Sequence, residues 1–399
     1  MNKKICTLLF VLTLCVLGKE GQAVEKLLSP VERFFNDIDK TTSLKVEYDD
    51  NIFLVEDNED SDVKQVFTQG LKYKKSFGDH FIKWDYTGTY SYYDEESLGV
   101  LSHTGNFAYS YRPFKNFSIG LGNTFNWQQD NKLATPIGDR LLALGYVQNT
   151  PNVQMKYQFN PRTILSTDLT YQDLDVRDSL NGTFIDHRRT TEIGKLSYMI
   201  TDDNNLIGYI GFQGDQVMFR HTDLKDTTST RGFGGLTKKF SNLMDITYEI
   251  GFKNTDFDSN HGDDSNVDHR ISIDTNFSLY TKLGLSYSYN MKNPSLRSEY
   301  VQYASNMASI NLTHTINPKT TLLLGYSYET QDFDSSDVLT GGAPLDRKTH
   351  IHTLSSAVNR KLNEWLALDF NYNFSKRDTS FAGEGYIDNK YALGLTARY

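Results

Sequence analysis

The last nine residues of the chain alternate between two kinds of side chain. Tyr391, Leu393, Leu395, Ala397 and Tyr399 fall on one side, and Ala392, Gly394, Thr396 and Arg398 fall on the other. A two-residue period is typical of a β-strand, because successive side chains of a strand point in opposite directions. The pattern therefore predicts a strand that lies between an apolar and a polar environment.

The same alternation recurs along most of the chain, in segments longer than most strands of soluble proteins. The clearest segment places Ile82, Trp84, Tyr86, Gly88, Tyr90 and Tyr92 opposite Lys83, Asp85, Thr87, Thr89 and Ser91, and similar segments cover 267–279 and 366–374. A soluble sandwich also alternates, but these apolar faces are too numerous to share one compact core. In lipid every backbone polar group must be paired, and an open sheet leaves an unpaired edge. We therefore expect an all-β fold, a closed antiparallel transmembrane β-barrel.

The connections between these segments are alternately short and long. Turn-forming residues occupy the short ones, near 78–79, 113–116, 160–162, 201–204, 241–242, 280–282, 317–319 and 359–363. The long ones are polar, near 56–62, 94–99, 128–146, 177–187, 214–228, 256–266, 292–299, 333–347 and 376–386. Short periplasmic turns and long outer loops are typical of outer-membrane barrels. Eight short and nine long connections predict about 18 strands, with both termini in the periplasm.

One region leaves 16 strands as the alternative. Residues 140–148 are followed by the run Asn149-Thr150-Pro151-Asn152, which has the composition of a turn. We interpret this region as a long outer loop that leads into the sixth strand. An extra short hairpin, or a segment folded into the lumen, is the other interpretation.

The N-terminus has the features of a secretory signal peptide over residues 1–23. Lys3 and Lys4 precede an apolar stretch over 5–17, and Gly21 and Ala23 are the small residues expected before a cleavage site. An uncleaved helical anchor is the alternative, which the length and the flanking residues disfavour. Both cysteines lie inside this segment, so the mature chain would lack disulfides, thiolate metal sites and cysteine nucleophiles.

Residues 24–42 differ from the rest, because apolar residues recur there at helical spacing from Val24 to Ile38. We expect a short amphipathic helix in the periplasm or the lumen, with an unstructured leader as the alternative. The barrel is predicted to cover 43–399.

Charge and hydropathy narrow the classes of function. The net charge of −9 opposes nucleic-acid binding, which needs basic surfaces. The mean hydropathy of −0.51 fits a barrel, which carries its apolar residues at alternate positions. Acidic residues are concentrated in the predicted loops at 56–62, 94–96 and 256–264. Solvated loops explain them most simply, and binding of divalent cations at a cell surface is the alternative.

Catalytic chemistry has little support in the sequence. The catalytic candidates are His187 with Asp186, His269 with Asp268, and His350 and His352 with Asp346. Two weaker candidates for metal binding are the set His261, Asp263 and Asp264 and the set Asp332, Asp334 and Asp337. None has the spacing of a known catalytic or calcium motif. Hydrogen-bonded surface histidines explain these positions better, and we predict no enzyme activity, no cofactor, and no catalytic or metal-binding residues.

The run Tyr48-Asp49-Asp50-Asn51-Ile52-Phe53 falls in the first predicted strand. It resembles the opening motif of the β-barrel porin 2 family of outer-membrane proteins, and the repeated strands and the aromatic C-terminus extend the resemblance over 43–399. The resemblance implies a role in polysaccharide export or secretion. It supplies no functional residues, because the family has no catalytic motif.

One face of each predicted strand contains mainly small and polar residues, which predicts a hydrated lumen. We therefore expect a porin-like channel in the outer membrane of a Gram-negative-type bacterium, which passes hydrophilic solutes or takes part in polysaccharide export. The alternative is a surface-interaction or structural protein whose acidic loops bind partners or divalent cations. The expected partners are membrane lipid, a hydrophilic solute or polysaccharide, and the barrel-insertion machinery, which would recognise the strand that ends at Tyr399.

Overall fold

The computed structural model describes residues 37–51, 61–94, 98–129, 145–176, 187–201, 203, 205–219, 226–240, 243–257, 264–292, 303–333, 347–380 and 385–399. These ranges contain eighteen strands: β1 Ile38–Asp49, β2 Asp62–Phe77, β3 His80–Tyr93, β4 Leu98–Phe114, β5 Phe117–Gln128, β6 Tyr146–Asn160, β7 Thr163–Val176, β8 His187–Met199, β9 Leu206–Phe219, β10 Thr227–Phe240, β11 Met244–Phe257, β12 Asp264–Asn276, β13 Thr281–Lys292, β14 Tyr303–Asn317, β15 Thr320–Phe333, β16 Arg347–Lys361, β17 Leu366–Thr379 and β18 Tyr386–Arg398.

The strands form one closed antiparallel sheet, in which each strand pairs with its neighbours in sequence. The closure joins β1 to β18 over nine residue pairs, from Thr41 opposite Arg398 to Asp49 opposite Lys390. One residue beyond the end of β18, Tyr399 exchanges two backbone hydrogen bonds of 3.0 Å with Lys40. The predicted 18-strand barrel is confirmed, and the alternative of 16 strands is wrong.

Among the residues that the structure describes, no helix is both long enough and apolar enough to cross a membrane.

The two faces of the sheet differ as the alternation predicts. On β18, Leu393 faces outward and is 55% exposed, whereas Ala392 faces inward and is 5% exposed. Further apolar side chains are exposed on the outside of β9, β10, β11 and β18, among them Ile210, Phe212, Leu236, Ile250, Phe252 and Leu395. An apolar exterior on a closed barrel fits an outer-membrane location, because lipid, not water, solvates that surface.

Exposed aromatic side chains surround one end of the barrel. The connections at this end are the short ones, at 78–79, 115–116, 161–162, 200–205, 241–243, 277–280, 318–319 and 362–365. Beside them lie Phe77, Phe114, Phe159, Tyr198, Phe240, Phe277, Tyr280, Trp365 and Tyr399. Aromatic girdles of this kind mark the membrane–water interface. In outer-membrane barrels the short turns face the periplasm, so the long connections lie at the outer end.

Two of the short turns lie a few residues from their predicted places. The turn predicted at 280–282 occupies 277–280, so Phe277 and Leu279 are turn residues and not part of β12. Leu279 is 94% exposed. The turn predicted at 359–363 similarly occupies 362–365. Alternation cannot separate a strand from a turn whose apolar residues reach the membrane interface.

The run Asn149-Thr150-Pro151-Asn152 is part of β6, and our prediction that it belongs to a turn before the sixth strand is wrong. Pro151 pairs with Asn123 on β5, but the ladder to β7 skips from Asn149 to Asn152. Proline has no N–H to donate, and this accounts for the interruption. The predicted loop segment 140–144 lies outside the described residues.

The barrel begins five residues earlier than the predicted boundary. β1 starts at Ile38, which pairs with Tyr73 on β2, and Asp37 accepts a hydrogen bond of 2.9 Å from Lys75. Ile38 fits both the two-residue period of a strand and the helical period of the preceding residues. Spacing alone therefore could not assign it to the helix or to the strand. The signal peptide over 1–23 and the segment from 24 to 36 lie outside the described residues, and both stay predictions.

Candidate functional site

The inner wall formed by β8 to β12 carries a concentration of charged side chains. The two-residue period points Arg189, Lys195, Asp215, Arg231, Glu249, Lys253, Asp268 and Arg270 into the lumen, where they line a recess of about 440 Å³. We call these eight residues and the space they line the basic recess. Its five cationic and three anionic side chains leave two formal positive charges in excess.

Two of the arginines in the basic recess are held by carboxylates. Arg189 donates two hydrogen bonds to Asp215, of 2.7 and 2.8 Å. Arg231 donates from Nε to Asp268 over 2.6 Å and from Nη2 to Glu249 over 2.8 Å. Charge-assisted bonds of the planar guanidinium group fix its orientation as well as its position. These two arginines are therefore rigid parts of the wall.

Glycines on β11 and β10 make room for long side chains that lie along this wall. A Cβ atom added to Gly251 would lie 2.6 Å from Nε of Arg231, and one added to Gly235 would lie 2.4 Å from the Tyr209 ring. Any side chain at either glycine would displace its neighbour. The arginine and the tyrosine can therefore lie flat against the sheet.

The remaining cations of the basic recess are Lys195, Lys253 and Arg270. The Lys195 ammonium lies 4.4 Å from the centre of the Tyr209 ring, whose hydroxyl donates to Glu249 over 3.0 Å. Lys253 donates a long hydrogen bond of 3.4 Å to the carbonyl of Met291. Arg270 is exposed to the lumen and makes no ion pair among the described residues. The recess therefore presents positive charge to a solute in the lumen.

The candidate histidines lie mainly on the outside of the barrel. His350 and His352 face outward, and each shares a hydrogen bond with a tyrosine hydroxyl, over 2.9 Å to Tyr328 and 3.0 Å to Tyr326. His269 stacks against Tyr289, while its neighbour in sequence, Asp268, points into the lumen. The outward histidines thus agree with the interpretation of hydrogen-bonded or ring-packed surface groups.

The remaining candidates do not form a group in the part of the chain that the structure describes. His187 lies at the outer end of β8 against the Phe219 ring, and Asp332 pairs with Lys348 on the outer face over 3.2 Å. Asp264 begins β12. The others, Asp186, His261, Asp263, Asp334, Asp337 and Asp346, lie outside the described residues.

The basic recess was not predicted from the sequence. Its residues are ordinary members of polar strand faces, and Arg231 and Asp268 are 37 positions apart. The only signal is the recurrence of charged residues at alternate positions of five consecutive strands. Nothing in the sequence indicates the strand register that brings these residues together.

No protein-family model and no curated protein matches the sequence. Solved structures of barrels do resemble the chain. A BenF-like porin from Pseudomonas fluorescens Pf-5 is 12% identical, with 92% of this chain and 100% of that chain covered and a TM-score of 0.52. The siderophore receptor PirA from Pseudomonas aeruginosa is 8% identical, with 91% and 80% covered and a TM-score of 0.51.

A third solved structure, OpdK of Pseudomonas aeruginosa with vanillate, is 10% identical, with 91% of this chain and 99% of that chain covered and a TM-score of 0.50. Identities this low establish similarity of fold and nothing finer. They support a porin-like β-barrel, and the resemblance to the β-barrel porin 2 family is supported only to that extent.

Proposed function

We propose that the protein is an outer-membrane channel that admits small hydrophilic solutes. The observation that carries the proposal is the polar inner face of a closed barrel of 18 strands. Barrels of 16 to 18 strands leave an aqueous channel, because the inward side chains cannot fill so wide a lumen. The similarity of the barrel to a BenF-like porin supports this proposal.

The basic recess refines the proposal toward anionic solutes. A wall with excess positive charge raises the local concentration of anions, and the surrounding low-dielectric barrel strengthens this effect. Arg270 and Lys195 contribute cationic groups that do not form ion pairs with the recess carboxylates. The solved structure of OpdK, which the barrel resembles, contains vanillate, a carboxylate. We infer that small carboxylates pass more readily than cations of the same size.

Polysaccharide export, which the family resemblance implies, gains no support from the solved structures that resemble the barrel. The alternative role in surface interaction depends on the acidic loops, most of whose residues lie outside the described ranges. Passage of small solutes is therefore the function that we propose.

Swelling of liposomes that contain the refolded protein tests the proposal. Vesicles are diluted into isotonic solutions of neutral sugars of increasing size, and the optical density reports solute entry. We expect rapid swelling with monosaccharides and slower swelling as the sugar grows. A folded barrel that admits no solute of any size would contradict the channel.

A further inference from the structure

Three carboxylates crowd together at the outer end of the barrel, where β1 meets β18. They belong to Asp49, Asp50 and Asp388, and one oxygen atom of each lies within 4.8 Å of the others. Asp49 and Asp50 are part of the run that carries the family resemblance. We call these three residues and Lys390 the seam cluster. It lies on the wall β1–β18, apart from the basic recess on β8 to β12.

One carboxylate of the seam cluster is buried without sufficient partners. The Asp388 side chain is only 3% exposed, and its Oδ1 has no hydrogen-bond partner among the described residues. Its Oδ2 lies 3.3 Å from the Lys390 ammonium, which is closer to Asp49, at 2.6 Å. A buried carboxylate oxygen without a donor is unfavourable, and a bound cation would supply it with a partner.

Hydrogen bonds between β18 and the end of β1 hold the seam cluster in place. Asp50 accepts from the backbone N–H of Asn389 over 2.6 Å and from its side-chain amide over 2.8 Å. Asn51 is fully buried, and its amide donates to the carbonyl of Ile387 over 2.8 Å. The seam cluster is therefore held in place by contacts between the two ends of the barrel sequence.

The seam cluster itself carries more negative than positive charge. Three carboxylates and one ammonium group leave two formal negative charges. Asp62, the ladder partner of Asp49 on β2, is a further buried carboxylate. Below the cluster, Lys45 and Lys64 both bind Glu47, and this group has one formal positive charge.

We propose that the seam cluster binds one Ca²⁺ ion, with Asp49, Asp50 and Asp388 as its protein ligands. Calcium takes six to eight oxygen ligands, accepts carboxylates in one- or two-oxygen contact, and tolerates irregular geometry. A doubly charged cation balances the two excess negative charges and supplies the missing partner of Asp388. It also links the first strand of the barrel to the last at the outer mouth, independently of any role in transport.

Calcium titration of the full-length chain, refolded in detergent and freed of metal with EDTA, tests the proposal. Isothermal titration calorimetry should show one Ca²⁺ per chain more for the wild type than for Asp388→Asn. Asp274→Asn is the matched control, because it removes a lumenal carboxylate whose ladder partner is also an aspartate, Asp245, at the other end of the barrel. Loss of the same binding event in this control, or equal binding by Asp388→Asn and wild type, would overturn the site. Equal affinity for Mg²⁺ would overturn its assignment to calcium.

Thermal unfolding distinguishes a metal site from a carboxylate that only stabilises the fold. Without metal, Asp388→Asn relieves repulsion among like charges, so the variant should be at least as stable as the wild type. With Ca²⁺, the wild type should gain stability and the variant should not. A variant that is less stable by the same amount in EDTA and in Ca²⁺ would contradict the proposal. Asp50→Asn provides the same comparison if Asp388→Asn does not refold.

Discussion

Arg231 on β10 reaches across the whole of β11 to bind the carboxylate of Asp268 on β12, with Nε 2.6 Å from Oδ2. Adjacent strands lie about 4.8 Å apart, so the side chain spans two strand spacings. It can do so because Gly251 on β11 leaves the surface open beneath it. Three strands are thereby linked on the lumenal side by one ion pair.

Substitution of that glycine should break the link. Gly251→Ala places a Cβ 2.6 Å from Nε of Arg231, which must move and leave the buried Asp268 without its partner. We expect a loss of roughly 1–3 kcal/mol in the free energy of unfolding, measured by urea titration in lipid vesicles. Gly232→Ala is the matched control, because a Cβ there meets nothing within 4 Å. Equal losses in the two variants would show that the close approach has no energetic role.

Neutralisation of the basic recess should change ion selectivity. Arg270→Gln combined with Lys195→Gln removes two cationic groups that face the lumen, so the permeability ratio of chloride to potassium should fall several-fold. The ratio is obtained from the reversal potential in planar bilayers under a salt gradient. Lys238→Gln, on the outer face of β10, removes a charge that does not face the lumen and should leave the ratio unchanged. An unchanged ratio in the double variant would show that the basic recess does not determine ion selectivity.

Replacement of Pro151 should strengthen the ladder between β6 and β7. Pro151→Val supplies an N–H where the pairing is interrupted, and valine favours strands. One added backbone hydrogen bond should raise the free energy of unfolding by about 0.5–1.5 kcal/mol. Met155→Val, on the same face of β6, changes an apolar side chain without adding a donor. A gain in this control, or no gain for Pro151→Val, would contradict the explanation.

The C-terminal aromatic residue should matter more for assembly than for the finished barrel. Tyr399 is exposed at the short-turn end, and its hydroxyl shares a hydrogen bond of 2.9 Å with Thr42. We predict that Tyr399→Ala reduces the amount of barrel in the outer membrane, because we propose that the insertion machinery recognises the aromatic ring of this strand. Tyr399→Phe keeps the ring and loses only the hydroxyl, so its level should stay near that of the wild type. Equal levels for all three proteins, measured by blotting of membrane fractions, would refute the prediction.

The parts of the structure that the sequence predicts are those with a local signal. Alternation along 82–92 and 391–399 is visible in any short window, and so are the turn residues between strands, which together predict 18 strands. The start of β1 at Ile38 lacks such a signal, because one residue there fits two periods. The run around Pro151 has the composition of a turn, but Pro151 remains paired with β5 and is therefore part of a strand.

The candidate sites escaped prediction for a different reason. Their residues meet only after the register of several strands is set: Arg231 and Asp268 lie on either side of another strand, and Asp49 and Lys390 are 341 positions apart. The register of the strands gathers excess positive charge on β8 to β12, which no count of charged residues reveals.

The reversal potential of the wild-type protein in a planar lipid bilayer is the most direct test of an anion-selective channel. A tenfold gradient of potassium chloride is applied across a membrane that contains the refolded barrel. We predict stepwise conductance with a reversal potential of the sign that denotes preference for chloride. A folded barrel without conductance at any voltage would contradict the channel, and a preference for potassium would contradict the role of the basic recess.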